Sequence, residues 1–169
     1  MTEAASFLLP YFAAERQEAM LFVAVGAAAV AAAAWLTWRV PRWRGAAWPL
    51  VAIAAIQIVV GGSVGLRTDA QVATLAARLA ADPAAFKREE TARMLVVNDN
   101  FRVYKAIEIG LVAAGVALVA ANRRPAQRPR RAFWRAFGAG LALQAAFMLA
   151  LDFFAEERAG VYTAQVDQL

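Results

Sequence analysis

The sequence of 169 residues contains no cysteine and no histidine. Without cysteine there is no disulfide bond, thiol nucleophile or thiolate metal site. Without histidine the chain lacks the usual haem and zinc ligand and the commonest general base. Ser–His and Cys–His catalytic pairs are therefore excluded. We expect a protein that is not an enzyme and that carries no cofactor.

Charged residues are also scarce, because they make up 18% of the chain while hydrophobic residues make up 62%. A soluble domain of this size would have to expose large apolar patches. The net charge of +5 would indicate nucleic acid as a partner only if the basic residues shared one soluble face. They lie instead in short loops between long apolar runs. The expected surroundings are therefore a lipid bilayer, and no nucleic acid partner is expected.

Four apolar runs predict an all-α fold, an integral membrane four-helix bundle that forms one domain over residues 1–169. Each run is close to the roughly 20 residues that cross a hydrocarbon core about 30 Å thick. One boundary is rich in tryptophan, whose indole ring prefers the headgroup level of a membrane. The runs cover approximately residues 19–38, 47–66, 101–122 and 132–154.

The distribution of arginine predicts the orientation of these spans. The loops 39–46 and 123–131 are rich in arginine and contain no acidic residue. Short loops of this kind stay in the cytoplasm. The prediction is a multi-pass protein of the inner (plasma) membrane whose N-terminus and C-terminus are both outside.

The segment between the second and third spans, about residues 67–100, is predicted to be an extracytoplasmic helical segment. Asp69 is placed to cap a helix that ends near Ala81, and Asp82 followed by proline is a second helix start. The second helix is expected to continue into the third span, loosened near residues 98–100. Two interpretations remain open for this segment, which either packs on its own bundle or docks a partner protein. In the second case the partner-facing residues are Lys87, Arg88, Glu90, Arg93 and Asn98.

Polar residues inside the apolar runs are the candidate site. Gln57 and Gln144 are expected to face the bundle and to join helices, because hydrocarbon cannot satisfy an amide. Glu108 is a stronger signal, because an ionisable residue at depth is costly. It is either paired with Lys105, three residues earlier, or part of a site for a ligand, an ion or a partner helix. The expected polar cluster comprises Glu108, Lys105, Gln57, Gln144, Asp152 and Glu18.

The residues present leave two main hypotheses for the function. The first hypothesis is a small non-catalytic inner-membrane protein that binds another membrane or secreted protein through its outer segment, in an assembly, regulatory or immunity-type role, or that forms a homo-oligomer. The alternative is a small transporter or channel with Glu108, Gln57 and Gln144 lining the path. An enzyme acting on lipid is the weakest hypothesis, since no nucleophile is paired with a base. No metal site is expected, because the carboxylates of residues 89–99 alternate with basic side chains.

Overall fold

A computed structural model of the chain describes residues 6–123 and 129–169, and within them the fold is all-α. The four long helices are α1 (Leu8–Arg39), α2 (Arg44–Ala81), α3 (Pro83–Ala121) and α4 (Pro129–Asp167), with a short 3₁₀ turn at Pro41–Trp43 between the first two. All four are long and apolar enough to cross a membrane, which is the pattern of a multi-pass membrane protein. With 32 to 39 residues each, they are about 48 to 58 Å long, well beyond the ~30 Å of a hydrocarbon core.

The turns follow from local sequence. Pro41 ends α1, and the side chain of Arg44 donates a hydrogen bond to the carbonyl oxygen of Thr37 across that turn (3.0 Å). At the other end of the bundle Asp82 caps α3, because its Oδ1 accepts from the backbone N–H of Ala85 (2.9 Å). Pro83 occupies the first helical position, where its missing N–H has no consequence. The predicted helix start at Asp82 is confirmed.

We call the end with the Asp82 turn, the start of α1 and the end of α4 the hairpin end, and the opposite end the basic end. The hairpin end has its own apolar core, to which all four helices contribute. Its buried members are Leu8, Tyr11, Phe12, Leu75, Leu79, Phe86, Met94, Ala159, Tyr162 and Val166. The segment expected outside the membrane therefore packs on the two terminal segments of its own chain, as one of the two interpretations anticipates.

Small residues set the packing towards the basic end. There α1 packs against α2, α3 against α4, and α2 also against α4. Gly115 on α3 faces Gly138 and Ala142 on α4, and Gly140 on α4 faces Ala46 on α2. Such residues let helix backbones approach closely, which is how helices associate in lipid. The basic half is therefore closely packed and dominated by alanine and glycine.

Two boundaries differ from the predictions. Asp69 does not begin a helix, because α2 continues from Arg44 to Ala81 without a break, and Asp69 instead forms an exposed ion pair with Arg16 of α1 (3.0 Å). Residues 98–100 are regular helix within α3. Of the predicted basic loops, 39–46 is the end of α1, the 3₁₀ turn and the start of α2, while 129–131 begins α4 and 124–128 lie outside the described residues.

Candidate functional site

The two glutamines of the apolar runs meet each other. The Gln144 amide donates to the Gln57 side-chain carbonyl at 2.7 Å, joining α4 to α2. Both side chains are buried, and the Nε2 of Gln57 has no partner among the described residues. The pair forms an interhelical contact, and neither residue lines the large cavity described below.

Lys105 does not pair with Glu108, which corrects one of the two interpretations. Its ammonium group forms an ion pair with Glu156 on α4 and lies 4.9 Å from the centre of the Phe153 ring. Arg102, the other nearby base, pairs with Asp99 on its own helix (3.1 Å). The ion pair between Lys105 and Glu156 joins α3 to α4, so Lys105 is not paired with Glu108.

Glu108 is 4% exposed, and its Oε2 has no hydrogen-bond partner among the described residues. A buried charge without a partner is costly, so such a group is either neutral or complemented by something that binds there. Asp152 on α4 lines the same cavity. The carboxyl groups of Glu108 and Asp152 therefore line the same cavity, and Lys105, the base expected beside Glu108, pairs with Glu156 instead.

Glu18, the remaining member of the predicted cluster, pairs with Arg158 and so joins α1 to α4. The guanidinium group of Arg158 also lies over the ring of Tyr11, 5.8 Å from its centre. Sequence reasoning missed Arg158, because it lies beyond the last apolar run. The only signal would have been an unpaired acid at the corresponding level of α1.

Glu90 does not face outwards as expected, since it is 3% exposed. Its carboxylate accepts hydrogen bonds from Arg93 (2.5 and 2.9 Å) and from the phenol of Tyr162 (2.6 Å). Burial, together with the hydrogen bond to Glu90, raises the pKa of Tyr162, which lies beyond the apolar run of α4. The phenol is therefore a neutral donor, and the three side chains form a satisfied buried network inside the hairpin-end core.

Two further residues expected to face a partner are also engaged within the chain. Lys87 donates to the backbone carbonyl of Asp167 (2.6 Å), and Asn98 donates to the hydroxyl of Thr163 (3.3 Å). Both contacts fasten α3 to the end of α4. Arg88 is exposed. The outer segment thus uses most of its predicted partner-facing residues to hold the bundle together.

A cavity of about 610 Å³ lies between all four helices where the hairpin end meets the apolar half. Pockets of roughly 300 to 1,000 Å³ accommodate small molecules. Its exposed lining residues all lie on α2 and α3, whereas those of α1 and α4 are buried or half-buried. The cavity therefore opens sideways between α2 and α3. The exposed lining residues are Ile56, Val60, Arg67, Asn100, Tyr104 and Ile107.

The charged lining of the cavity contains four carboxyl groups and three guanidinium groups. Its carboxyl groups come from Glu15, Glu18, Glu108 and Asp152, and its guanidinium groups from Arg67, Arg93 and Arg158. Sequence reasoning missed Glu15, although it shares a helical face with Glu18 at a spacing of three residues. Its Oε2 also lacks a hydrogen-bond partner among the described residues, and burial raises its pKa.

The cavity ends before the basic end of the bundle. Its innermost lining residues are Phe22, Ile53, Leu111 and Ala145, one from each helix. Beyond them lie the glycine contacts of α3 with α4 and of α4 with α2. The described space is therefore a blind pocket with a lateral opening.

A second groove of about 690 Å³ lies between α1 and α2 near the hairpin end. Among the described residues its charged lining consists of Arg16 and Asp69, which pair with each other. The rest of its lining is mainly apolar. Among residues 6–123 and 129–169, no group of three acidic side chains is arranged to hold a metal ion.

Compared with protein-family models, curated proteins and solved structures, the chain matches none. The candidate site is consequently defined by its own geometry. Its described lining combines carboxyl and guanidinium groups with a largely apolar surface.

Proposed function

We propose that this chain is a non-catalytic inner-membrane protein that binds a small amphipathic molecule in the four-helix cavity, entering sideways from the outer leaflet. The arginine-rich segments at the basic end support an orientation with that end in the cytoplasm and the hairpin end outside. In this orientation the cavity lies in the outer half of the membrane. The amphipathic ligand would place its apolar part among the aliphatic lining residues and its polar part near the carboxyl groups.

The lateral opening is the observation that carries this proposal. Within the apolar runs its rim consists of Ile56 and Val60 on α2 and of Tyr104 and Ile107 on α3, while the exposed polar lining residues Arg67 and Asn100 lie just beyond those runs, towards the hairpin end. An opening rimmed by aliphatic and aromatic side chains at that depth faces hydrocarbon rather than water. A molecule that is already dissolved in the leaflet can reach the cavity without crossing an aqueous phase.

A protein partner of the outer segment stays a prediction that the contacts support less well. Four of its five expected partner-facing residues are bonded within the chain: Lys87, Glu90, Arg93 and Asn98. A docking surface would have to break these contacts or use the remaining exposed side chains, such as Arg88. We therefore assign the hairpin end the role of holding the cavity open at its outer side.

Transport through the bundle is also supported less well than binding. Gln57 and Gln144, expected to line a path, are hydrogen-bonded to each other across the α2–α4 contact and do not line the cavity. The cavity ends at an apolar floor, and closely packed glycines follow it. Transporter sites tend to be built from helices that are broken at mid-membrane, whereas each of these helices is continuous through its apolar run.

Binding can be tested with the protein in phosphatidylcholine nanodiscs and a fluorescent derivative of dodecanol as the probe. We expect saturable binding that Val60→Trp weakens about tenfold, because the larger side chain obstructs the rim. Val59→Trp is the matched control, since Val59 is the neighbouring residue on α2, is 69% exposed and does not line the cavity. Binding that is not saturable, or that both variants weaken equally, would show that this cavity is not a binding site.

A further inference from the structure

We infer that the ligand is a cationic amphiphile, an amine that carries an alkyl chain, and that Glu108 and Asp152 hold its ammonium group. This inference rests on the proposed function, because it names the chemical class of the molecule in the same cavity. It is carried by carboxyl groups of the cavity that form no ion pair among the described residues.

Some of the charged residues that line the cavity are already paired within the chain. Arg158 is paired with Glu18, and Arg93 is paired with Glu90, which lies outside the cavity lining. The remaining groups are the carboxyls of Glu15, Glu108 and Asp152 and the guanidinium of Arg67. Acid therefore exceeds base in the part of the lining that is not already paired, and a bound cation would restore the balance.

Glu108 lies deep in the cavity. It lies one helical turn before the floor residue Leu111, so it is the deepest charged group on α3. It is only 4% exposed, and its Oε2 is buried without a hydrogen-bond partner among the described residues. An ammonium group has three donors and no acceptor, which matches a pair of free carboxylates.

The position of the opening determines where the alkyl chain of the ligand would lie. Ile107 of the rim is the residue next to Glu108, so the opening and the deepest carboxyl group lie at the same level of α3. An ammonium group at Glu108 would leave its chain passing between Ile107 and Ile56 into the surrounding hydrocarbon. The cavity then needs to enclose only the head and the first part of the chain.

The base that would oppose this inference is Lys105, which could neutralise Glu108 internally. It is held instead by Glu156 and by the face of Phe153. It does not line the cavity. Lys105 is therefore engaged by α4 and forms no ion pair with Glu108, so the place beside Glu108 is left to a ligand.

The experiment compares dodecylamine with dodecanol as competitors of the fluorescent dodecanol derivative, at neutral pH in uncharged phosphatidylcholine nanodiscs. A primary alkylamine is protonated under these conditions, as a lysine side chain is. We expect dodecylamine to bind at least about tenfold more tightly than dodecanol to the unmodified protein. Glu108→Gln should remove most of that preference, and Asp152→Asn should reduce it.

The matched control is Asp99→Asn, because Asp99 is an acid on the same helix that is exposed and lies outside the cavity lining. It should leave the preference for the amine unchanged. Equal affinities for amine and alcohol, or a preference that survives Glu108→Gln, would overturn the inference while the binding function stands. If neither competitor displaces the probe and the probe itself does not bind saturably, the proposed function fails and the inference fails with it.

Discussion

Replacing Gly115 by alanine should destabilise the bundle, whereas the same change at Gly110 on the same helix should not. A Cβ at Gly115 would lie 2.6 Å from the carbonyl oxygen of Gly138 and 2.7 Å from the amide nitrogen of Ala142. Both are backbone atoms of α4, so no side-chain rotation can relieve the contact. Restoring an ordinary contact of 3.4 Å requires α3 and α4 to separate.

The magnitude follows from comparing the two sites. A Cβ at Gly110 would meet nothing within 4 Å, so Gly110→Ala should gain the helix propensity of alanine over glycine, roughly 0.5 to 1 kcal/mol. Gly115→Ala has the same gain but forces extra volume into a packed contact, which costs about 1 to 3 kcal/mol. The propensity gain cancels in the comparison, so the free energies of unfolding should differ by about 1 to 3 kcal/mol.

The assay is reversible unfolding in mixed micelles with increasing sodium dodecyl sulfate, followed by the loss of helical circular dichroism. Gly115→Ala should unfold at a lower denaturant fraction than the unmodified protein, and Gly110→Ala at an equal or higher one. If the two variants unfold together, the close approach of α3 and α4 at Gly115 is not a feature of the folded protein.

Two further predictions use the same unfolding assay. Gln144→Leu should lower the free energy of unfolding by about 1 kcal/mol, because it removes the interhelical hydrogen bond and leaves the Gln57 carbonyl buried and unpaired. The double variant with Gln57→Leu should recover part of that loss. A double variant as unstable as the sum of the two single variants would contradict this pairing. Asp82→Ala should lower the free energy of unfolding by about 1 kcal/mol, because α3 loses its cap. Asp69→Ala removes only an exposed ion pair and should lower it by well under 1 kcal/mol. Equal losses would mean that Asp69 also begins a helix.

The helices could be predicted from the sequence, but not their full lengths. A run of apolar residues marks the part of a helix that must avoid water, and all four runs lie inside helices. Beyond a run, a helix needs only one apolar face, and α2 continues past Asp69 because Leu75 and Leu79 lie on such a face. The helical segments before residue 19 and after residue 154 become stable by packing on each other, as Tyr11 stacks on Tyr162 (4.1 Å between ring centres).

Of the predicted polar cluster, Glu18, Glu108 and Asp152 line the cavity, whereas Lys105, Gln57 and Gln144 do not. The depth of Glu108 is readable because an acid within an apolar run is rare. Its pairing with Lys105, one of the two interpretations, rests on their spacing on one helix, whereas the structure pairs Lys105 with Glu156 of another helix. Contacts between helices depend on their relative rotation, which sequence spacing within one helix does not determine. The lateral opening depends on the same rotation.

The most direct test of the binding cavity is photo-crosslinking of the protein in nanodiscs with a diazirine derivative of dodecanol, followed by mapping of the labelled peptides. The account predicts labelling of residues that line the cavity, such as Met148 on α4 and Tyr104 on α3, and unlabelled dodecanol should compete for it. Exposed residues outside the cavity, such as Leu143 (70% exposed) and Val116 (56% exposed), should show only labelling without competition. Labelling spread evenly over exposed residues of all four helices, with none that dodecanol reduces, would contradict the account.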